Sequence, residues 1–175
     1  MNIEQGQDEI TIDAPPRAVF SLLQDSTLLP RWMPVVEATT GRHQVLGAVR
    51  ECEVNISGRR GRMREECSEC IPYRRIAWRV LSETVGFDLM IRDFQFSFEL
   101  IESGPRDTRV IHRSSYAPKH AFGLLLLRLV GRRKFHQVRV KALLNLKQLS
   151  EAGQIASMTR LRGSATAPAM SSNNE

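Results

Sequence analysis

The stretch that most constrains this chain runs from Lys119 to Ala152 and reads KHAFGLLLLRLVGRRKFHQVRVKALLNLKQLSEA. At helical pitch Leu124, Leu127, Gly131, Phe135, Val138, Ala142, Leu146 and Leu149 fall on one face, within about a third of the circumference. Each large side chain of that face gains ~1.5–3 kcal/mol on burial, so a helix this long and one-sided needs a broad apolar partner. The chain upstream supplies strands. In FQFSFEL, Phe94, Phe96, Phe98 and Leu100 point one way and Gln95, Ser97 and Glu99 the other. The expected class is α+β, with an antiparallel sheet packed on a terminal helix.

In order, Glu9 to Asp13 alternates as a short first strand. APPRAVFSLLQD follows, with Pro15 and Pro16 suited to a helix's first turn and Val19, Phe20, Leu22 and Leu23 on its buried side. Leu28 to Trp32 reads as a second short helix stopped by Pro34, and Val35 to Thr40 as strand two. Ala48 to Ile56 and Met63 to Ile71 form a hairpin. With Arg59-Arg60 as its turn, Ile56 faces Met63, Val54 faces Glu65, Cys52 faces Cys67 and Arg50 faces Glu69. The alternate face is wholly polar, so this set points inward and carries Glu65, Arg50 and Glu69 with it. Strand five is RIAWRVLS and strand six FQFSFEL. Strand seven, Thr108 to Tyr116, puts Val110, His112, Ser114 and Tyr116 on one face. Residues 84–93 show no pattern. Beyond Gly153 the chain is small and polar, so the expected division is a domain over 1–153 and a disordered tail over 154–175.

Charge is localised. Residues 1–118 hold 15 basic and 17 acidic side chains, whereas 119–152 hold 8 basic and 1 acidic. The cationic helix either presents a solvated face or meets an anionic surface. Arg132, Arg133 and Lys134, next to the leucine run from Leu124, are the residues that would meet anionic lipid. Packing on the first helices or a homodimer contact is the alternative use of those leucines. No aromatic platform accompanies the arginines, which argues against nucleic acid. The N-terminus MNIEQGQDEI has no leader pattern and the apolar run is too short to span a bilayer. With three cysteines, the expectation is a cytoplasmic protein with reduced thiols, peripheral to the membrane if it meets lipid.

GxSxG, P-loop and dinucleotide fingerprints are absent, which removes the usual routes to phosphate handling and hydride transfer. Cys67 and Cys70 form a CxxC, but residues three apart on a strand point to opposite faces and no second pair accompanies them. No metal and no cofactor is expected. Glu65, on an apolar face, needs either a role or a partner such as Arg50 or Arg139. His112 sits beside the phenylalanines of strand six and either meets a ligand or bonds within the core. Glu65 and His112 are the acid/base candidates, and Tyr116 a hydrogen-bond donor. Trp32, Trp78, Phe94, Phe96, Phe98, Phe135 and Arg139 either line a pocket or fill the core.

The order of strand, two short helices, six strands and a long helix, with ITIDAPPRAVFSLLQD, LPRWMP and a last strand ending at Tyr116-Ala117-Pro118, resembles the START-like (SRPBCC) superfamily. The branch it looks most like is the polyketide cyclase/dehydrase and lipid-transport group, over roughly residues 8–152. The resemblance implies a helix-grip fold, a seven-stranded sheet curved around the terminal helix with a cavity between them. It implies a hydrophobic small-molecule ligand, such as a lipid, isoprenoid or polyketide. The alternative it implies is a cyclase or dehydratase.

Overall fold

The computed structural model describes residues 4–41, 43–121, 125, 129 and 131–164. The elements are β1 (Glu4–Ile12), α1 (Pro16–Gln24), a 3-10 turn (Ser26–Leu28), α2 (Leu29–Trp32), β2 (Val36–Thr39), β3 (Val49–Ile56), β4 (Arg59–Ile71), β5 (Arg75–Glu83), β6 (Ile91–Glu102), β7 (Thr108–Pro118) and α3 (Arg132–Ser164). The strands form one antiparallel sheet in the order β1-β7-β6-β5-β4-β3-β2. The helix α3 packs along β1 and against α1 and α2. This is the expected helix-grip architecture.

The alternation in β6 and β7 plays out as read. Phe98, Leu100, Val110 and His112 are buried on the inner face, and Ala142, Leu143 and Leu146 of α3 close the core. Leu149 and Val138 pack against it at the edges. Of the helix face read from sequence, Leu124 and Leu127 lie outside the described residues. Leu129 and Gly131 have the wider π-helical geometry that precedes α3. The expected helix from Lys119 starts after strand to Pro118 and a bend at Lys119–His120: Ala121 and Leu125 are helical, and α3 itself runs from Arg132. At its other end α3 runs through Gly153 to Ser164, past the boundary at which sequence pattern stops.

The β3–β4 hairpin corrects one expectation. Its turn is Ser57-Gly58, with φ of 57° and 87°, and not Arg59-Arg60. Two positive-φ residues make the tight turn whose twist matches flanking strands. Arg50 therefore pairs with Glu65 and not Glu69, and Cys52 with Met63 and not Cys67. The slide is an even number of residues, so every side chain keeps its face. On the outer face it replaces a Glu53–Glu66 clash with Glu53–Arg62 and Glu51–Arg64 pairs, which is the favourable choice.

A second correction concerns Glu69 and the CxxC. The β4–β5 register shifts between Cys67 and Glu69, with Ser68 the extra residue. This bulge reverses the alternation. Glu69 turns outward, where its carboxylate accepts from Arg75 Nε at 2.6 Å, and Cys70 turns inward with Cys67. The two thiols come together, yet both remain free.

Candidate functional site

Between the inner face of the sheet and α3 the side chains leave a cavity of about 540 Å³. Three causes open it. Bulges in β4, β5 and β6 curve the sheet away from the helix. The Val138 and Phe135 face of α3 stands over the gap. The segment between β5 and β6, which has no sequence periodicity, folds over one end and contributes Val85, Phe87 and Met90. That segment is pinned by Glu83, whose carboxylate accepts the N–H groups of Val85, Gly86 and Asp88 at 2.5, 2.8 and 2.7 Å.

Most of the lining is apolar. Met33, Val35 and Val36 come from the α2–β2 corner, and Val54, Ile56 and Met63 from β3 and β4. Phe94, Phe96, Phe87 and Phe135 form an aromatic group with ring centroids 5.8–6.4 Å apart along the chain of contacts. Asp93, with φ of 55°, is the kink that keeps Phe94 in line with Phe96 across a register shift.

Three polar groups interrupt this wall. The first is Arg50 and Glu65, paired through Nε and Oε2 at 2.8 Å and both buried. Arg50 also lies over the Trp78 ring at 4.4 Å, and its Nη1 is buried with no hydrogen-bond partner. The Cys52 thiol points at the same carboxylate oxygen at 3.7 Å. Burial and then the Glu65 charge push that thiol up to about 11, so it stays protonated.

The second group is His112, Ser114 and Arg139. The His112 ring stacks on Phe98 with centroids 4.2 Å apart, and its Nδ1 is buried without a partner. Burial, and behind it the positive charge of Arg139, holds the imidazole down to about 3. It is neutral at physiological pH. Arg139 reaches from α3 across to β1, where Nε donates to Asp8 Oδ2 at 2.6 Å and Nη1 donates to Ser114 Oγ at 3.0 Å. Gly6 makes room for this: a Cβ there would stand 2.5 Å from Arg139 Nη1.

The third group is the rim, with Ser57, Arg59 and Lys134. Lys134 Nζ donates to Ser57 Oγ at 3.1 Å and bridges α3 to the hairpin turn.

Of the residues singled out by sequence, Glu65, His112, Phe94, Phe96, Phe135 and Arg139 line the cavity. Trp32, Trp78 and Phe98 do not. They are fully buried in an edge-to-face cluster, with Trp32–Phe98 at 5.5 Å and Trp78–Phe98 at 6.3 Å, and fill the closed end of the core. Tyr116 shares the inner face but lies beyond the cavity, stacked on Phe135 at 5.4 Å. Val54, Ile56 and Met63 were legible from the alternation that placed Glu65 inward. Val85, Phe87 and Met90 carried no such signal. Among the described residues no His/Cys/Asp/Glu group is arranged to hold a metal. No described helix is long and apolar enough to cross a membrane.

The sequence matches the family model for polyketide cyclase / dehydrase and lipid transport over residues 5–151. No curated protein matches. Solved structures with the same architecture include the Zhui aromatase/cyclase of Streptomyces sp. R1128, at 17% identity and TM-score 0.69, covering 86% of this chain and 94% of that one. A START superfamily protein of Mycobacterium smegmatis follows at 16% identity and TM-score 0.63, covering 83% and 98%. Ginseng major latex-like protein 151 of Panax ginseng gives 12% identity and TM-score 0.69, covering 85% and 97%. At these identities the structures share a fold with this chain. The match over residues 5–151 takes in every strand but the first residue of β1 and α3 as far as Glu151, and by it the chain belongs to the polyketide cyclase/dehydrase and lipid-transport family of START-like proteins.

Proposed function

We propose that this chain binds a hydrophobic small molecule, of the lipid, isoprenoid or polyketide kind, in the cavity between sheet and α3. The observation that carries the reading is an apolar void of about 540 Å³ with a buried, neutral and unpartnered His112 Nδ1 on its wall. That volume falls inside the ~300–1,000 Å³ range of small-molecule sites. An apolar body filling the void would recover contacts the lining now lacks, and a carbonyl or hydroxyl at one end would satisfy His112. Native mass spectrometry of protein purified from its own host tests this. The expected result is a co-purifying apolar adduct released by denaturation. Protein that carries none and takes up no neutral apolar dye in saturable fashion would end the reading.

A cyclase or dehydratase acting on a carbonyl compound is the second reading. It is favoured by the presence of His112 and Glu65 in one cavity, where a neutral imidazole faces the space a carbonyl compound would fill. One fold neighbour is an aromatase/cyclase, which is in keeping with it. Glu65 is committed to Arg50, and Tyr116 lies outside the cavity, so His112 is the residue we assign to hydrogen-bonding the substrate's polar group.

The same binding reading extends to a membrane surface, with the protein resident in the cytoplasm. Leu125 and Leu129 are 56% and 71% exposed beside the exposed cations Arg132, Arg133 and Lys134, and Lys134 stands on the cavity rim. Exposed leucine next to clustered cation suits peripheral contact with anionic lipid. Leu126 lies outside the described residues.

A further inference from the structure

A second hollow, of about 290 Å³, adjoins the cavity beneath the first turns of α3, at the edge formed by β1 and β7. Ser114, Phe135 and Arg139 line both spaces. The chemistry changes across them. The cavity side is apolar, whereas the hollow is lined by Arg132, His136 and Arg139, and among the described residues no carboxylate lines it.

Asp8 lies behind this wall. Its two oxygens are engaged by His136 Nδ1 at 2.7 Å and Arg139 Nε at 2.6 Å. Among the described side chains this is one carboxylate against the two guanidinium groups of Arg132 and Arg139. Arg139 is fixed in place by its two bonds and its side chain is 9% exposed, so its charge is only weakly screened by solvent. The stacked rings of Tyr116 and Phe135 form a flat side to the hollow. A second polar hollow of about 510 Å³, on the outer face of the sheet, differs on this point. Its cations are already matched, Arg75 to Glu69 and Arg113 to Glu99.

We propose that the ligand is an anionic amphiphile, with its apolar body in the cavity and its carboxylate or phosphate end in the hollow against Arg132, His136 and Arg139. This rests on the cavity-binding reading. Charge-assisted hydrogen bonds to a half-enclosed guanidinium are stronger than neutral ones, so the charged end would set the ligand's orientation.

The test is displacement of Nile red by dodecanoate, dodecyl phosphate and dodecanol, from the wild type and from the double variant Arg132→Ser/His136→Asn. Both anions should displace the dye at about ten-fold lower concentration than dodecanol. The double variant should lose that preference while its response to dodecanol is unchanged. Equal potency of alcohol and anions, or a preference that survives in the double variant, overturns the proposal and leaves the cavity reading standing. Failure of all three to displace the dye overturns both. Inorganic phosphate separates the sources: if it abolishes the advantage of dodecyl phosphate at equal concentration, the hollow is a site for a free anion and the amphiphile is wrong.

Discussion

Arg50 and Glu65 face each other across β3 and β4 with 2.8 Å between Nε and Oε2, and their side chains are 1% and 6% exposed. Two charges withdrawn from water at this depth gain little net stability from each other, but each depends on the other being present. Glu65→Gln should therefore cost ~3–5 kcal/mol in urea unfolding, because it strands the Arg50 charge against Trp78. The double replacement Arg50→Met/Glu65→Met should recover most of that loss. A double variant as unstable as the single one would show that packing, and not the uncompensated charge, sets the cost.

His112 links stability to acidity. Its folded pKa, about 3, is below the ordinary 6.5, so the unfolded chain binds the proton more readily. The contribution is fully present above pH 6.5 and is lost as pH falls through the window from 6.5 towards 3. The slope approaches ~1.4 kcal/mol per pH unit for one group. Unfolding free energies of wild type and His112→Phe, measured from pH 7 to pH 4, should diverge with the wild type losing more. Parallel curves would remove His112 as the source.

Val138 lies at the face of α3 over the void, half-buried. Val138→Phe should fill space and not displace a packed neighbour. Uptake of apolar ligand should fall sharply, with the change in stability inside ~1.5 kcal/mol. Phe98→Ala, in the closed end of the core, should instead cost ~3–5 kcal/mol. Thermal melts and dye binding on both variants separate the lining from the filling. Loss of binding in neither would place the ligand elsewhere.

Vesicle co-sedimentation examines the membrane reading. Binding should be stronger to vesicles with anionic lipid than to neutral ones, since each cation near such a surface adds ~1 kcal/mol. Changing Arg132, Arg133 and Lys134 to serine should remove most of it. Equal binding to both vesicle types, or no loss in the triple variant, retires the idea and returns Leu125 and Leu129 to a protein contact.

The architecture was legible because β6 and β7 alternate over long runs and the apolar stripe of α3 persists from Phe135 to Leu149. Inner-face membership of Glu65 and His112 followed from parity alone, and parity survived an error of register. What parity could not give was depth along the sheet. Whether an inward aromatic lines a void or plugs it depends on how far it stands from α3 and α2. Trp78 and Phe96, stacked at 5.4 Å and paired across β5 and β6, fall on opposite sides of that boundary. The partner of Arg50 was missed for a local reason. Ser57-Gly58 is a strong tight-turn pair, and the opposite charges it brings together on the outer face were the available check. The bulge at Ser68 left no mark in the sequence, so the side taken by Cys70 was out of reach.

The bulges that bend β4, β5 and β6 have a consequence for how such a chain diversifies. They belong to the main chain, so backbone path makes the room beneath the helix and the side chains that border it only trim its shape. Val54, Met63 and Val138 can be exchanged without disturbing a ladder bond, and each exchange redraws the space. Ligand preference in this scaffold is thus free to drift by single substitutions while the architecture stays put. Lineages with unrelated ligands would keep one shape and few shared residues.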